Sequence, residues 1–436
     1  MTQKTRTALF FAFLALFLLI APSAVFYSQG YRIDFDLKKI TQTGGLFMKI
    51  VPKQVEIYID GKLKKKTDFF FGSTLIENLL PQKYKIEVKK QDYLTWEKTL
   101  EIKEKEVAEA KNIVLFSQDI SFQPLLTNVK NFWFSPDQTK IITLEEDKSS
   151  SLPSLPSDEN SIAEKGERGW ALKLYELDKK IKSHLVEEKD ISSKEADLLN
   201  LTFSEDSKDI SLEVGTAEQV KYFTLTLDKL PVKLIGTKAP LPPAENSLTY
   251  QKVNNDIYYL NSSGHVFKNE EKLTKTPFPT KQETKYDLKI FNGFIFLTEN
   301  ENLYRLNANS GLFEEFFEGI KHLTASPSLK TLAFASNHEI WIFCLEETAG
   351  QPQRKTGKKT FLLRFSKEIK DVSWLNSDYL IINLEGDIKI AETDNRDKVQ
   401  TWDIKNFSEP NIFFNQADKK LYILSEENLY SSEKIF

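Results

Sequence analysis

The sequence predicts an all-β protein: an N-terminal transmembrane helix, a small β-sandwich, then a seven-bladed β-propeller. Three observations carry this. Residues 8–27 hold no charge, short alternating apolar segments fill 45–116, and one strand–turn–strand layout recurs seven times between residues 130 and 430. At 436 residues the chain is long enough for two or three domains, and 40% apolar content with 12% aromatics is enough to build cores. A net charge of −4 argues against a dedicated nucleic-acid binder. One cysteine, Cys344, excludes an internal disulfide framework and any multi-thiolate zinc site.

The run ALFFAFLALFLLIAPSAVFY, from Ala8 to Tyr27, can cross a hydrocarbon core about 30 Å thick. Residues 1–7 precede it as a tail carrying Lys4 and Arg6, against Arg32 alone close behind, so the positive-inside bias puts the N-terminus in the cytoplasm. Tyr27 and Tyr31 stand where an interfacial aromatic belt would be. The competing reading is a cleaved signal peptide, for which Ala21-Pro22-Ser23 offers small residues. The apolar stretch outlasts a usual h-region, so a retained anchor is the expectation. The rest of the chain is then extracytoplasmic, beginning with a juxtamembrane linker at 28–43.

From 44 to 116, LFMKIV (46–51), EIYID (56–60), YKIEV (84–88), WEKTLEI (96–102) and NIVLF (112–116) each suit a strand with one buried face. Asp60-Gly61 signals a hairpin turn, and Leu80-Pro81-Gln82 a second turn. The stretch 28–116 carries 17 basic and 13 acidic residues. Pro52, Ile59-Asp60-Gly61, Leu79, Pro81, Tyr84 and Tyr93 together resemble the pattern of the PEGA domain. Pro52-Lys53-Gln54-Val55 replaces the namesake tetrapeptide, and Gln82 and Asp92 stand where that family has glycines. The segment GYRIDFDLKKITQTGG is similar to the juxtamembrane part of bacterial membrane-anchored PEGA proteins. The resemblance implies a cell-envelope adhesion or scaffolding protein rather than an enzyme.

In 117–436, seven copies of the layout carry the anchors Phe134, Phe203, Tyr250, Ile290, Ala325, Trp374 and Phe414. Their spacings are 69, 47, 40, 35, 49 and 40 residues, near the period of a propeller blade once the polar insertion at 148–169 is set aside. Seven four-stranded blades fit, with six or eight the neighbouring solutions. The last copy has three strands, so ISFQPLLT (120–127) is expected to supply the outer strand of blade seven and close the ring. The FSPD-like turn resembles those of TolB-type and WD-repeat-like propellers. This part is acidic, with 40 basic and 50 acidic residues. The Ser/Pro-rich segment 148–169 is expected to be disordered and to lie on the face of the link 237–246, with the polar loop 348–359 on the opposite face.

No Walker loop, nucleophile elbow, zinc-protease helix or dinucleotide fingerprint occurs. Asp137 and the acids of SEDS read as turn formers rather than calcium ligands. Trp133, Trp341, Trp374 and Trp402 read as packing between blades, although an exposed aromatic rim could bind sugars or peptides. Cys344 reads as a small core residue, and His184, His265, His322 and His338 form no ligand-spaced set. Lys64, Lys65 and Lys66 read as a solvated hairpin edge, with contact to anionic lipid or wall polymer the alternative. The expectation is a monomeric, non-catalytic envelope protein, held in the cytoplasmic membrane by 8–27. It would bind protein or glycan, with no cofactor, no metal and no nucleic acid. The rival is a polysaccharide hydrolase or lyase with carboxylates in the axial channel.

Overall fold

The computed structural model describes residues 3–34, 38–146, 169–192, 195–228, 231–239 and 246–436. Helix α1 (Gln3–Ser28) runs through Pro22 with its apolar side chains exposed all round. Its stretch Thr5–Ser28 has the length and composition of a membrane span or a signal sequence. The expected linker holds a hairpin instead: β1 (Tyr31–Asp34) pairs antiparallel with β2 (Lys39–Gln42). Arg32 fixes the helix end. Its guanidinium donates to the Tyr27 carbonyl at 2.8 Å and to Asn78 Oδ1 at 2.7 Å, and lies 3.6 Å from the Tyr27 ring centre.

The next module is a sandwich of two sheets. One holds β3 (Gly44–Val51), β6 (Ser73–Leu79) and β9 (Val107–Val114), in the order β6-β3-β9 with β3 and β9 parallel. The other holds β4 (Glu56–Ile59), β5 (Lys62–Lys66), β7 (Lys83–Lys89) and β8 (Trp96–Glu101), in the order β5-β4-β7-β8. Alternation buries Ile57, Ile59, Ile86 and Val88 against Leu46, Met48 and Ile50. Asp60 and Gly61 take the positive φ values, +48° and +74°, that a tight hairpin requires. Asp92, at φ +65°, adopts the left-handed conformation that would favour a glycine there. Strands β5 and β6 escape the sequence pattern. Every residue of β5 is exposed, and β9 begins five residues before the NIVLF segment.

Seven four-stranded antiparallel sheets follow in chain order. Sheet one holds Val129–Phe134, Lys140–Glu146, Trp170–Glu176 and Ile181–Glu187; sheet two holds Ala196–Phe203, Asp209–Thr216, Val220–Thr226 and Ile235–Thr237. Sheet three holds Ser247–Val253, Asp256–Asn261, Val266–Lys268 and Glu271–Lys272; sheet four holds Tyr286–Phe291, Phe294–Glu299, Asn302–Asn307 and Leu312–Glu318. Sheet five holds His322–Ala325, Thr331–Ala335, Glu339–Cys344 and Lys359–Arg364; sheet six holds Ile369–Asn376, Tyr379–Leu384, Asp387–Glu392 and Thr401–Asn406. Sheet seven takes Asn411–Asn415, Lys420–Ser425 and Asn428–Lys434 from the C-terminus and, as its fourth strand, β10 (Phe122–Thr127) from before sheet one. All seven anchors lie on the first strand of their sheet.

Apolar clusters join neighbouring sheets. Sheet seven packs on sheet one through Tyr422, Leu424, Phe132 and Ile141, and Phe134 stacks on Phe413 at 4.1 Å. Buried clusters likewise join sheets one and two, three and four, four and five, five and six, and six and seven. Between sheets two and three no buried cluster forms among the described residues. The cause lies in sheet two. One face carries Leu201, Ile210, Leu212 and Phe223 toward sheet one, while the other carries Thr202, Ser211, Thr224, Asn200, Glu213 and Tyr222. In sheet three, Thr249 and Gln251 accept hydrogen bonds from the Leu288 and Ile290 amides of sheet four, which leaves Leu248 and Tyr250 on the opposite face, 43% and 47% exposed. All but the last residue of the expected insertion at 148–169 and most of the link 237–246 lie outside the described residues.

Because successive strands are antiparallel, the first-to-second and third-to-fourth connections of each sheet lie at one end. The sandwich packs on that end of sheets five to seven. Its core runs without a break into Tyr379, Trp402, Phe414 and Ile435.

Candidate functional site

A set of buried charged side chains sits at this junction. In β8 the alternation puts Trp96, Lys98 and Leu100 on the buried face, and a lysine there must find acids on the opposing surface. Sheet six supplies them. Lys98 Nζ is fully buried and lies 2.5 Å from Glu392 Oε1, 2.6 Å from the Asp394 carbonyl and 3.8 Å from Asp394 Oδ1. Trp96 Nε1 donates to Glu392 Oε2 at 3.1 Å, and the Gln400 amide donates to Oε1 at 3.0 Å. Burial pushes the Glu392 carboxyl up, against the pull of Lys98. Burial also works on Asp394, but the Arg396 guanidinium binds it through two nitrogens, at 3.1 and 2.7 Å, and Lys98 adds its charge. Asp394 therefore lies below the usual carboxylate range.

Around this centre the Val114 amide donates to the Tyr379 hydroxyl at 3.0 Å, and burial pushes that phenol well above its ordinary value. Asn112 donates to Asp378 Oδ1 at 2.9 Å; burial raises the Asp378 carboxyl, with Asn112 and Arg354 opposing. Arg354, from the 348–359 loop, donates to the Thr393 carbonyl, and Gln351 of the same loop accepts from the Glu109 amide at 3.1 Å. That loop, read from sequence only as a polar excursion, is part of the mounting. A cavity of about 160 Å³ remains, lined by Trp96, Asn112, Arg354, Asp378, Glu392 and Asp394 among others. Lys98 and Arg396 pair with Glu392 and Asp394, while Asp378 and Arg354 are held by Asn112 and the Thr393 carbonyl. The arrangement cross-links two domains; it does not present a free nucleophile.

Two further polar pairs lie at the starts of first strands, at the end where the inter-sheet links arrive. His322 Nδ1 is 3.6 Å from Asp371 Oδ1, and Asn411 Nδ2 is 3.4 Å from Asn131 Oδ1. Burial raises the Asp371 carboxyl, and His322 opposes that. The remaining histidines are separate: His184 stands 3.5 Å from Glu187, His265 Nδ1 2.9 Å from Thr274, and His338 Nδ1 3.3 Å from the Lys367 carbonyl. Among the described residues no three His, Cys, Asp or Glu side chains cluster as a metal would require.

The other residues singled out in the sequence fall as follows. Asp137 accepts from Ser135 Oγ at 2.6 Å and from the Thr139 amide at 3.0 Å, and Asp206 accepts from Ser204 Oγ at 2.7 Å, so these acids hold their own turns. Trp374 and Trp402 are buried, and Trp133 and Trp341 pack against core clusters. Cys344 is buried, and burial raises its thiol. Lys64, Lys65 and Lys66 are exposed on β5, with Lys66 paired to Glu56 at 2.5 Å. Sequence reasoning passed over Lys98 and Glu392. The signal was present, since Lys98 interrupts the apolar stripe Trp96–Leu100 and Glu392 follows Ile388 and Ile390 on one buried face.

No protein-family model matches this chain, and no curated relative matches it. Among solved structures it is similar to the β-propeller domain of Cps50 (Swd1) from Myceliophthora thermophila, at 10% identity over 72% of this chain and 99% of that one, with a TM-score of 0.40. It is also similar to YCF48 from Cyanidioschyzon merolae, at 10% identity over 72% and 98%, with a TM-score of 0.41. A putative 6-phosphogluconolactonase from Bacteroides fragilis follows at 12% identity over 60% and 85%, with a TM-score of 0.37.

Proposed function

We propose that this chain is a membrane-tethered, non-catalytic scaffold. Its seven sheets act as the blades of a propeller closed by β10, and the propeller is mounted on a PEGA-like sandwich outside the cytoplasmic membrane. The observation that carries the reading is the mounting. The Lys98–Glu392 pair and the continuous core from Met48 to Phe414 fix the ring's orientation on its tether. The sandwich occupies the first-to-second turn end of sheets five to seven, so the end bearing the links and the His322–Asp371 and Asn131–Asn411 pairs stays open for a partner. Loops on a rigid frame are how propellers recognise ligands. An envelope protein or glycan is the partner class that a tethered ring outside the membrane would meet.

The full chain in lipid nanodiscs, exposed to arrays of envelope glycans and peptides, tests this. Saturable binding that Asp371→Asn or Asn131→Ala weakens, without turnover, is the expected result. Release of new reducing ends from a polysaccharide would favour the hydrolase reading instead, with Asp371 and His322 as its acid–base pair.

A further inference from the structure

The loop joining β5 to β6 holds three consecutive phenylalanines, Phe69, Phe70 and Phe71, which are 68%, 74% and 66% exposed. Such a run on a soluble surface calls for a partner. The loop is a built feature. Asp68 Oδ1 accepts the Phe70 and Phe71 amides at 2.9 and 2.6 Å, and the Phe69 and Phe70 rings meet edge to face at 5.7 Å. Next to it runs β5, Lys-Leu-Lys-Lys-Lys, with Leu63 47% exposed. Lys66 is paired with Glu56 and Lys65 donates to the Leu75 carbonyl, while Lys62 and Lys64 have no ion-pair partner among the described residues.

The position of this patch decides its partner. Strands β5 and β6 are the outer strands of the two sheets, on the side away from the β8–β9 side that packs on sheets five and six. Strand β6, about 23 Å long at the usual rise, has the aromatic loop at its start and Asn78 near its end. Asn78 is the residue that receives Arg32, beside the end of α1. Apolar helix, lysine strand and phenylalanine loop thus follow one edge.

We propose that this edge lies on an anionic lipid surface, the bilayer that α1 spans, with Phe69–Phe71 in the headgroup–acyl boundary and Lys62 and Lys64 against lipid phosphates. The inference rests on α1 being a retained anchor. It makes the contact two-point, a helix at one end of β6 and an aromatic wedge at the other, which sets the tilt of the whole ring.

The test uses the full chain in nanodiscs of phosphatidylglycerol and phosphatidylcholine, with a nitroxide at Phe70→Cys and separate labels at Phe13→Cys in α1 and Gln91→Cys. Accessibility to oxygen, enriched in lipid, is compared with that to a water-soluble nickel chelate. Phe70→Cys is expected to show a several-fold loss of nickel accessibility relative to Gln91→Cys while staying open to oxygen. The loss should shrink in pure phosphatidylcholine or with Lys62→Gln/Lys64→Gln. A Phe70→Cys label as open to nickel as Gln91→Cys overturns the proposal, as does one closed to both reagents, which would mean burial against protein. Insensitivity to lipid charge overturns the role of the lysines. A water-exposed Phe13→Cys with a lipid-shielded Phe70→Cys would overturn the anchor reading and the two-point contact, leaving only the aromatic loop on the lipid.

Discussion

A lysine on the apolar face of β8 has nowhere to put its charge unless another domain supplies acids, and Lys98 shows the consequence. Lys98→Met would strand the Glu392 carboxylate in the core, at a cost of about 3–5 kcal/mol by analogy with broken buried pairs. Adding Glu392→Leu should recover much of that loss. Denaturant unfolding of the two single variants and the double variant checks it. A second residue sets an acid limit. Glu145, 5% exposed, is raised by burial but lowered further by Lys182 at 2.6 Å, Lys173 at 2.9 Å and the Thr143 hydroxyl, so its folded pKa lies below the unfolded one. Its stabilisation is therefore present above the ordinary carboxylate pKa of about 4 and is lost as pH falls through the folded value. Hydrogen exchange in sheet one should accelerate over that acid range, and Glu145→Gln should flatten the dependence.

At the scale of elements, the repeat was readable because each first strand carries an apolar anchor at or within three residues of its end, ahead of a polar turn, as in Phe134 with Ser135 to Asp137. The closing strand was readable too, because the last copy lacked a fourth strand that 120–127 could provide. Leu126 of β10 packs with Leu429 and Tyr422, so Leu126→Ala should cost about 2–5 kcal/mol and loosen sheet seven, as read by thermal unfolding. The gap between sheets two and three was not read. Alternation in Asn200–Phe203 and Ile210–Val214 already gives sheet two one polar face, but only the pairing register shows that the polar residues of its strands line up on the same side. The outcome is a contrast between two apolar residues. Tyr250→Ser should stay within about 0.5 kcal/mol of the parent. Leu288→Ala, in the buried cluster between sheets three and four, should cost about 2–5 kcal/mol. Strands β5 and β6 were missed for a simpler reason: lysines on both faces of β5 leave no alternation to detect, and β6 buries only Thr74 and Leu79.

For the whole molecule, composition and the apolar N-terminus indicated a modular chain, and the sequence reading said nothing of how the sandwich and the ring meet. The contacts that join them pair residues far apart in sequence: Trp96 with Glu392, Asn112 with Asp378, Thr99 with Asp397. No local pattern encodes such pairings; Lys98 and Glu392 hint only that a partner exists. The scaffold reading depends on that joint being rigid, since a ring swinging on a tether would not keep one end open and turned the same way. Spin labels at Gln91→Cys in the sandwich and Asp178→Cys in sheet one, with the buried Cys344 left unlabelled, measure it by dipolar spectroscopy. A single narrow distance distribution, broadened by Lys98→Met, is the expected result. A broad or two-peaked distribution in the parent protein would contradict the account.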